Sequence, residues 1–120
     1  MAEDQKITRK SGKAKARRLQ NQVVGALYGW FPHLKAGDIK PALMGEIGSD
    51  VKLSPLAKES IPFDIECKNQ ETIAIWKALE QAEKNTEPER IPLLVFTRNN
   101  TQTYACLPLD DLLELIEKTY

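Results

Sequence analysis

The sequence is short of the residue types that most often give a function away. It has two cysteines, Cys67 and Cys106, and one histidine, His33, in 120 residues. No CxxC pair is present, which argues against a structural zinc site. Both cysteines lie in strand-like apolar runs and read as buried thiols of a reducing compartment rather than as a disulfide. No apolar run exceeds four residues, Leu93–Phe96 among them, so none approaches a membrane span. The N-terminal cations have no apolar stretch behind them, unlike a secretory signal. The expectation is a cytoplasmic protein without a membrane partner.

Acidic residues are missing where basic ones gather. Between Gln5 and Gly37 there is no aspartate or glutamate. Residues 1–18 carry Lys6, Arg9, Lys10, Lys13, Lys15, Arg17 and Arg18 against only Glu3 and Asp4. The chain as a whole is neutral, so the body that follows must be acidic. A basic segment on an acidic body points to an anionic partner, most simply nucleic acid. The plainer alternative is a solubilising tail.

What is present is the composition of one compact domain, 42% apolar and 28% charged. Residues 1–12, with Ser11-Gly12, are expected to be a flexible basic arm, and residues 13–120 a single domain. From Lys13 the recurrence of Ala16, Leu19, Val23, Ala26 or Leu27, and Trp30 predicts an amphipathic helix that Pro32 ends. Residues 31–45 read as loop with room for a short edge strand. "GEIGSDVKLSP" alternates as a strand until Pro55, and residues 56–61 form a turn or helical bridge. "PFDIECKNQ" is a strand, with Phe63, Ile65 and Cys67 on one face and Asp64, Glu66 and Lys68 on the other. Residues 71–84 form a helix with Ile75, Trp76, Leu79 and Ala82 inward. "IPLLVFTRN" lacks alternation and reads as a strand covered on both faces. Asn99-Asn100 marks a turn before a further extended piece, "TQTYACLPL". "DDLLELIEKTY" closes as a helix with acids at its start and Lys118 near its end. The order predicts an α/β fold, a central mixed four- to five-stranded sheet flanked by helices.

The chemistry centres on "DIECKNQ". Placing Asp64, Glu66 and Lys68 on one face of an apolar strand is costly unless the charges are paired or ligated. A salt bridge between Glu66 and Lys68 is one answer. The other brings in Asp50, from the preceding strand. Asp50 and Glu66 converging on one point would repel unless a cation lay between them. Oxygen donors of this kind suit Mg²⁺, or Mn²⁺ in its place, and Mg²⁺ takes only one or two carboxylates. The Cys67 backbone carbonyl is a further candidate ligand, and Lys68 is placed to orient a water or offset charge on phosphorus. Trp30 and Trp76 read as core, His33 as a loop residue, and Asp64 as a strand-edge charge or helper to Lys68. Arg98 and Lys52 read as strand flanks able to meet phosphate.

"GSDVKLSPLAKESIPFDIECKNQ" resembles the PD-(D/E)XK nuclease superfamily, in which an Asp on one strand is followed by Glu-x-Lys on the next. Asp50 matches the first element and Glu66-Cys67-Lys68 the second. "ALEQAE" and "IPLLVFTRNN" are similar to small resolvase-like and phage-type members. The resemblance spans roughly residues 13–116. It implies a restriction-endonuclease-like core and a metal-dependent DNA endonuclease selective for DNA structure or shape. It also implies a homodimer, and for a phage-encoded chain the host cytoplasm. Asp50, Glu66 and Lys68 would be catalytic, with Asp50, Glu66 and the Cys67 carbonyl on the metal. Lys10, Lys13, Lys15, Arg17 and Arg18 are expected to hold DNA. Two positions depart from the pattern. Ser49 stands where a proline is familiar, and the first helix lacks the acid many relatives carry. Gln22 is expected at that acid's place, with Glu46 as its substitute, and Gln70 and Gln81 near the site or the DNA. The alternative function is a non-catalytic nucleic-acid-binding module with the same fold.

Overall fold

The computed structural model describes residues 2–119, with side chains from residue 12 onward. Helix α1 spans Ala2–Trp30, beginning well before Lys13. The side chains of most of the expected basic arm lie outside the described residues. Leu19 is fully buried, and Val23, Val24, Leu27 and Tyr28 pack on the same core. Trp30 is a correction to the sequence reading, since it is 84% exposed. The helix has run past the sheet by then, and Phe31, whose N–H reaches Leu27 O at 2.9 Å, packs in its stead. The Tyr28 hydroxyl accepts from Ile39 N at 3.0 Å and sits 2.8 Å from Ile39 O. That contact ties the end of α1 to the first strand.

Strands β1 (Ile39–Pro41) and β2 (Val51–Leu53) pair antiparallel, Ile39 opposite Leu53. The strand expected from Gly45 onward is shorter than the alternation suggested. Gly45 and Gly48 adopt φ of +80° and +100°, a region glycine enters without steric cost, and the chain turns there. At Gly48 a Cβ would also lie 2.9 Å from Lys52 Nζ. Helix α2 (Pro55–Ser60) follows, with Ser54 Oγ accepting from Ala57 N at 3.1 Å and Pro55 opening the first turn.

Strand β3 (Phe63–Asn69) runs parallel to β4 (Ile91–Thr97), with Glu66 opposite Leu94. Parallel neighbours need a crossover, and α3 (Ile75–Lys84) supplies it. The small Ala78 and Ala82 face the sheet and are buried. Trp76, expected inward, is 81% exposed, so the alanines set the helix phase. Strand β5 (Tyr104–Cys106) joins β4 antiparallel, and α4 (Leu109–Thr119) ends the fold. Among the described residues no helix is long and apolar enough to cross a membrane. Cys67 is a buried free thiol and Cys106 a half-buried one.

The fold is α/β, but one continuous four- or five-stranded sheet does not form. The strands divide into a pair, β1–β2, and a triplet ordered β3–β4–β5. The two meet at a single backbone bond, Asp50 N to Ile65 O at 2.9 Å. At the next edge donor, Cys67 N, the Asp50 side chain takes the place of a strand carbonyl at 2.7 Å. The ladder therefore ends where the carboxylate begins. Helix α1 covers the face of β3 and β4 that carries Ile65, Cys67 and Val95, and α3 covers the face of Glu66 and Leu94.

Asp64 is neither an edge charge nor a partner of Lys68. Its carboxylate is buried against Arg90, Nε to Oδ1 at 2.7 Å, and accepts from Glu87 N at 2.9 Å. The same guanidinium donates to Ile61 O and Phe63 O, at 2.7 and 2.8 Å. Removing one member of a buried pair strands the other. Asp64→Ala is expected to cost about 3–5 kcal/mol in urea unfolding. Replacing both by apolar residues, Asp64→Leu with Arg90→Met, is expected to cost far less than either single change, and equal losses would contradict this account.

Candidate functional site

The site is built where β2 gives way to β3. Asp50 is fixed by three bonds: its N–H to Ile65 O, its carbonyl accepting from Ala42 N at 2.8 Å, and its Oδ2 accepting from Cys67 N. Residues on a strand alternate the direction of their backbone groups as well as of their side chains. Ile65 and Cys67 turn their backbones to the β2 edge, while Glu66 and Lys68 turn their side chains to the α3 face. The Cys67 carbonyl thus shares the edge on which the Asp50 carboxylate rests.

Glu66 is 3% exposed. Its hydrogen bond is a long one, from Asn85 Nδ2 at 3.4 Å, and among the described residues no cation pairs with it. Burial, and then the charge of Asp50, push its pKa up to about 7, against the opposing pull of Asn85, Lys68 and Lys52. The Asp50 carboxyl is raised as well, by burial, with the Cys67 N–H and the two lysines offsetting part of the effect. Burial and the two carboxylates together hold the Cys67 thiol neutral. The anticipated Glu66–Lys68 salt bridge is absent. Lys68 Nζ donates instead to Gln81 Oε1 at 3.2 Å.

A groove of about 390 Å³ opens beside Asp50, lined by Lys13, Arg17 and Gln20 of α1 and by Ala42–Glu46. Lys13 and Arg17 therefore stand at its wall. Lys15 and Arg18 do not line it. Lys15 is held by its carbonyl, which accepts from Asn69 Nδ2 at 2.8 Å. The side chain of Lys10 lies outside the described residues. Gln22 does not reach the groove: its amide bonds Thr103 Oγ1 at 3.4 Å. Gln20, two residues earlier and on the Arg17 face, lines the groove instead. Glu46 lines the groove, but its carboxylate accepts from Leu43 N at 2.8 Å and lies 3.9 Å from Lys52. Gln70 sits with Lys68, Lys77 and Gln81 in a smaller hollow on the α3 side.

Asn85 and Gln20 were missed in the sequence. Asn85 reads as a helix-end residue, and only the packing of α3 on β3 aims it at Glu66. Among the described residues no three His, Cys, Asp or Glu side chains gather as a metal cage. The donors that could hold a hard cation are the Asp50 and Glu66 carboxylates and the Cys67 carbonyl. Two mutually repelling carboxylates, of which Glu66 has only a long hydrogen bond, fit a divalent ion that keeps most of its waters. No protein-family model, curated protein or solved structure matches this chain.

The raised carboxyl has a consequence for stability. A carboxyl whose pKa rises on folding favours the native state when protonated. Its destabilising effect is full above about pH 7 and disappears below its ordinary pKa of 4.5. Without divalent metal, Glu66→Gln is expected to exceed the wild type near pH 8 by about 1–2 kcal/mol, allowing for solvent screening. Urea melts in chelator should show the gap closing as pH falls toward 4.5. A variant no more stable at pH 8 would contradict the burden placed on Glu66.

Proposed function

We propose that this protein is a metal-dependent DNA endonuclease with a PD-(D/E)XK-like core. The arrangement that supports it most is Asp50, held by Cys67 N at 2.7 Å and lining the groove of Lys13 and Arg17, with the buried Glu66 close enough on β3 to feel its charge and Lys68 on the same face of β3 as Glu66. In this reading Asp50, Glu66 and the Cys67 carbonyl hold Mg²⁺, or Mn²⁺ in its place. The bound ion supplies Lewis-acid polarisation of a phosphoryl oxygen and a more acidic water. The Lys68 ammonium, hydrogen-bonded to Gln81, would offset the negative charge that grows on the phosphoryl oxygens as a water oxygen bonds to phosphorus and the opposite ester oxygen leaves, taking up a proton from solvent. Asn85 keeps Glu66 oriented. Lys13 and Arg17 hold phosphates of the strand being cut, in an affinity that falls steeply with salt. The α1 residue that lines the groove, Gln20, is neutral, so this reading takes one ion. In this reading DNA shape and structure carry the selection. Such a protein would work in the cytoplasm, of a host cell if it is phage-encoded.

Asp50→Asn, whose amide oxygen can still accept from Cys67 N, and Glu66→Gln are expected to abolish Mg²⁺-dependent cutting of labelled DNA, and Lys68→Met to slow it about 10²–10³-fold, with DNA binding retained in each. Wild-type protein that binds DNA with salt-dependent affinity yet never cuts with Mg²⁺ or Mn²⁺ would favour the non-catalytic module. Metal binding has its own readout: Mg²⁺ should raise the wild-type melting temperature at pH 8, by mass action on the native state, and leave Asp50→Asn unchanged.

Cutting both strands requires two sites, and the reading therefore includes a homodimer. Helix α4 turns Leu109, Leu112, Leu113 and Ile116 outward at helical spacing, all exposed. Its first turn follows a groove lined by Trp76, Leu79, Leu107 and Pro108. A stable two-fold contact buries about 800 Å² per partner, and a tryptophan with four aliphatic side chains supplies much of that. Leu113→Asp with Ile116→Asp should convert a dimer to a monomer in sedimentation equilibrium. A wild-type monomer at micromolar concentration would remove the dimer from the proposal and leave the single site.

A further inference from the structure

The turn between β1 and β2 carries three large apolar side chains that the described residues leave uncovered. Leu43, Met44 and Ile47 are 73%, 75% and 91% exposed. Exposed apolar residues on a loose loop would mean little. This loop is built. Leu43 N donates to Glu46 Oε1, and Glu46 N to Leu43 O at 3.0 Å. Lys52 Nζ donates to Ile47 O at 2.7 Å. Ala42 N is bonded to Asp50 O at its base. Gly45 and Gly48, both at positive φ, make the bends that no other residue makes at low cost. The polar groups of the turn are thus satisfied inward, and its apolar side chains are left pointing out.

Position gives the turn its meaning. Leu43 and Met44 form one rim of the groove whose other wall is Lys13 and Arg17 and which contains Asp50. A surface that sets two cations beside an unburied apolar knob suits a ligand with phosphates next to stackable rings. Proteins that deform duplexes insert Leu, Ile or Met between base steps and hold the flanking phosphates with Arg or Lys. Unstacking costs a few kcal/mol and least where bases are already unpaired or the helix is interrupted.

We infer that the 43–48 turn is a wedge that inserts Leu43, Met44 and Ile47 into the base stack beside the scissile phosphate, so that the site selects bulged or branched DNA over continuous duplex. The inference rests on the nuclease reading and adds the substrate class to it.

The test uses DNA with 2-aminopurine beside a short bulge, Ca²⁺ replacing Mg²⁺, and the continuous duplex as reference. Wild-type protein should raise the 2-aminopurine fluorescence and prefer the bulged DNA by about tenfold or more. Met44→Ser with Ile47→Ser should lose the rise and bring the preference close to unity, while Met44→Leu retains both. All three side chains are exposed, so these changes leave the fold intact. If the serine variant keeps the fluorescence rise and the preference, the wedge is wrong although wild-type cutting with Mg²⁺ still upholds the nuclease. Wild-type protein that neither binds nor cuts either DNA overturns both. Serine variants that lose co-sedimentation with phosphatidylglycerol vesicles, with DNA preference unchanged, assign the turn to a lipid surface and overturn the wedge alone.

Discussion

Asp50 is the one residue on which both the sheet and the site depend. Its N–H closes the last backbone bond between β2 and β3, and its carboxylate then occupies the next edge donor, Cys67 N, at 2.7 Å. An unpaired N–H at a covered sheet edge is costly. The carboxylate removes that cost, and in doing so it is drawn next to Glu66. Edge satisfaction and charge proximity are a single geometric fact. The same substitution of side chain for strand explains why the five strands divide into a pair and a triplet instead of forming one sheet. A backbone carbonyl at that point would have continued the ladder and left no carboxylate there.

Three charged side chains lie on one face of β3, and each has a different fate. Asp64 is paired with Arg90, whose Nη2 donates to two carbonyls as well. Lys68 reaches Gln81, a neutral partner that holds the ammonium without cancelling it. Glu66 has neither, only a long bond from Asn85 and a like charge nearby. A structural network would have paired Glu66 as it paired Asp64. The contrast within three residues, a compensated carboxylate beside an uncompensated one, separates a stabilising contact from a functional candidate. Desolvation and a neighbouring carboxylate are the two influences that raise an acid's pKa, and both act on Glu66.

How much of this was legible in the sequence depends on the range over which each feature is decided. The parity of β3 was readable because a seven-residue strand has a period of two and leaves no freedom in which side chains share a face. Asp50 and Glu-x-Lys could be singled out for the same reason, and α4 showed its acids at the start and Lys118 at the end. Features decided by tertiary contact were not readable. Trp30 and Trp76 lie on plausible apolar stripes, but one outruns the sheet and the other is displaced by the closer fit of Ala78 and Ala82. The alternation around Ile47 looked like strand and is a glycine-bent turn, since periodicity carries no φ angle. On α1 the residue facing the groove is Gln20 and not Gln22, a difference of phase that only the position of the 42–46 segment determines.

The neutral net charge conceals an arrangement. Lys13 and Arg17 face the groove, whereas α4 carries Asp110, Asp111, Glu114 and Glu117 against Lys118 alone. Charge distributed this unevenly biases the orientation in which a charged partner meets the molecule even without a net charge. Orientation of this kind suits the division of apolar surface as well. The exposed knob of Leu43, Met44 and Ile47 lies on the cationic side, where a base stack flanked by phosphates would meet it. The exposed row on α4 lies among acids that repel nucleic acid and leave the row open to a protein surface. In the proposed reading, the charges around two apolar patches of similar chemistry would assign them different partners.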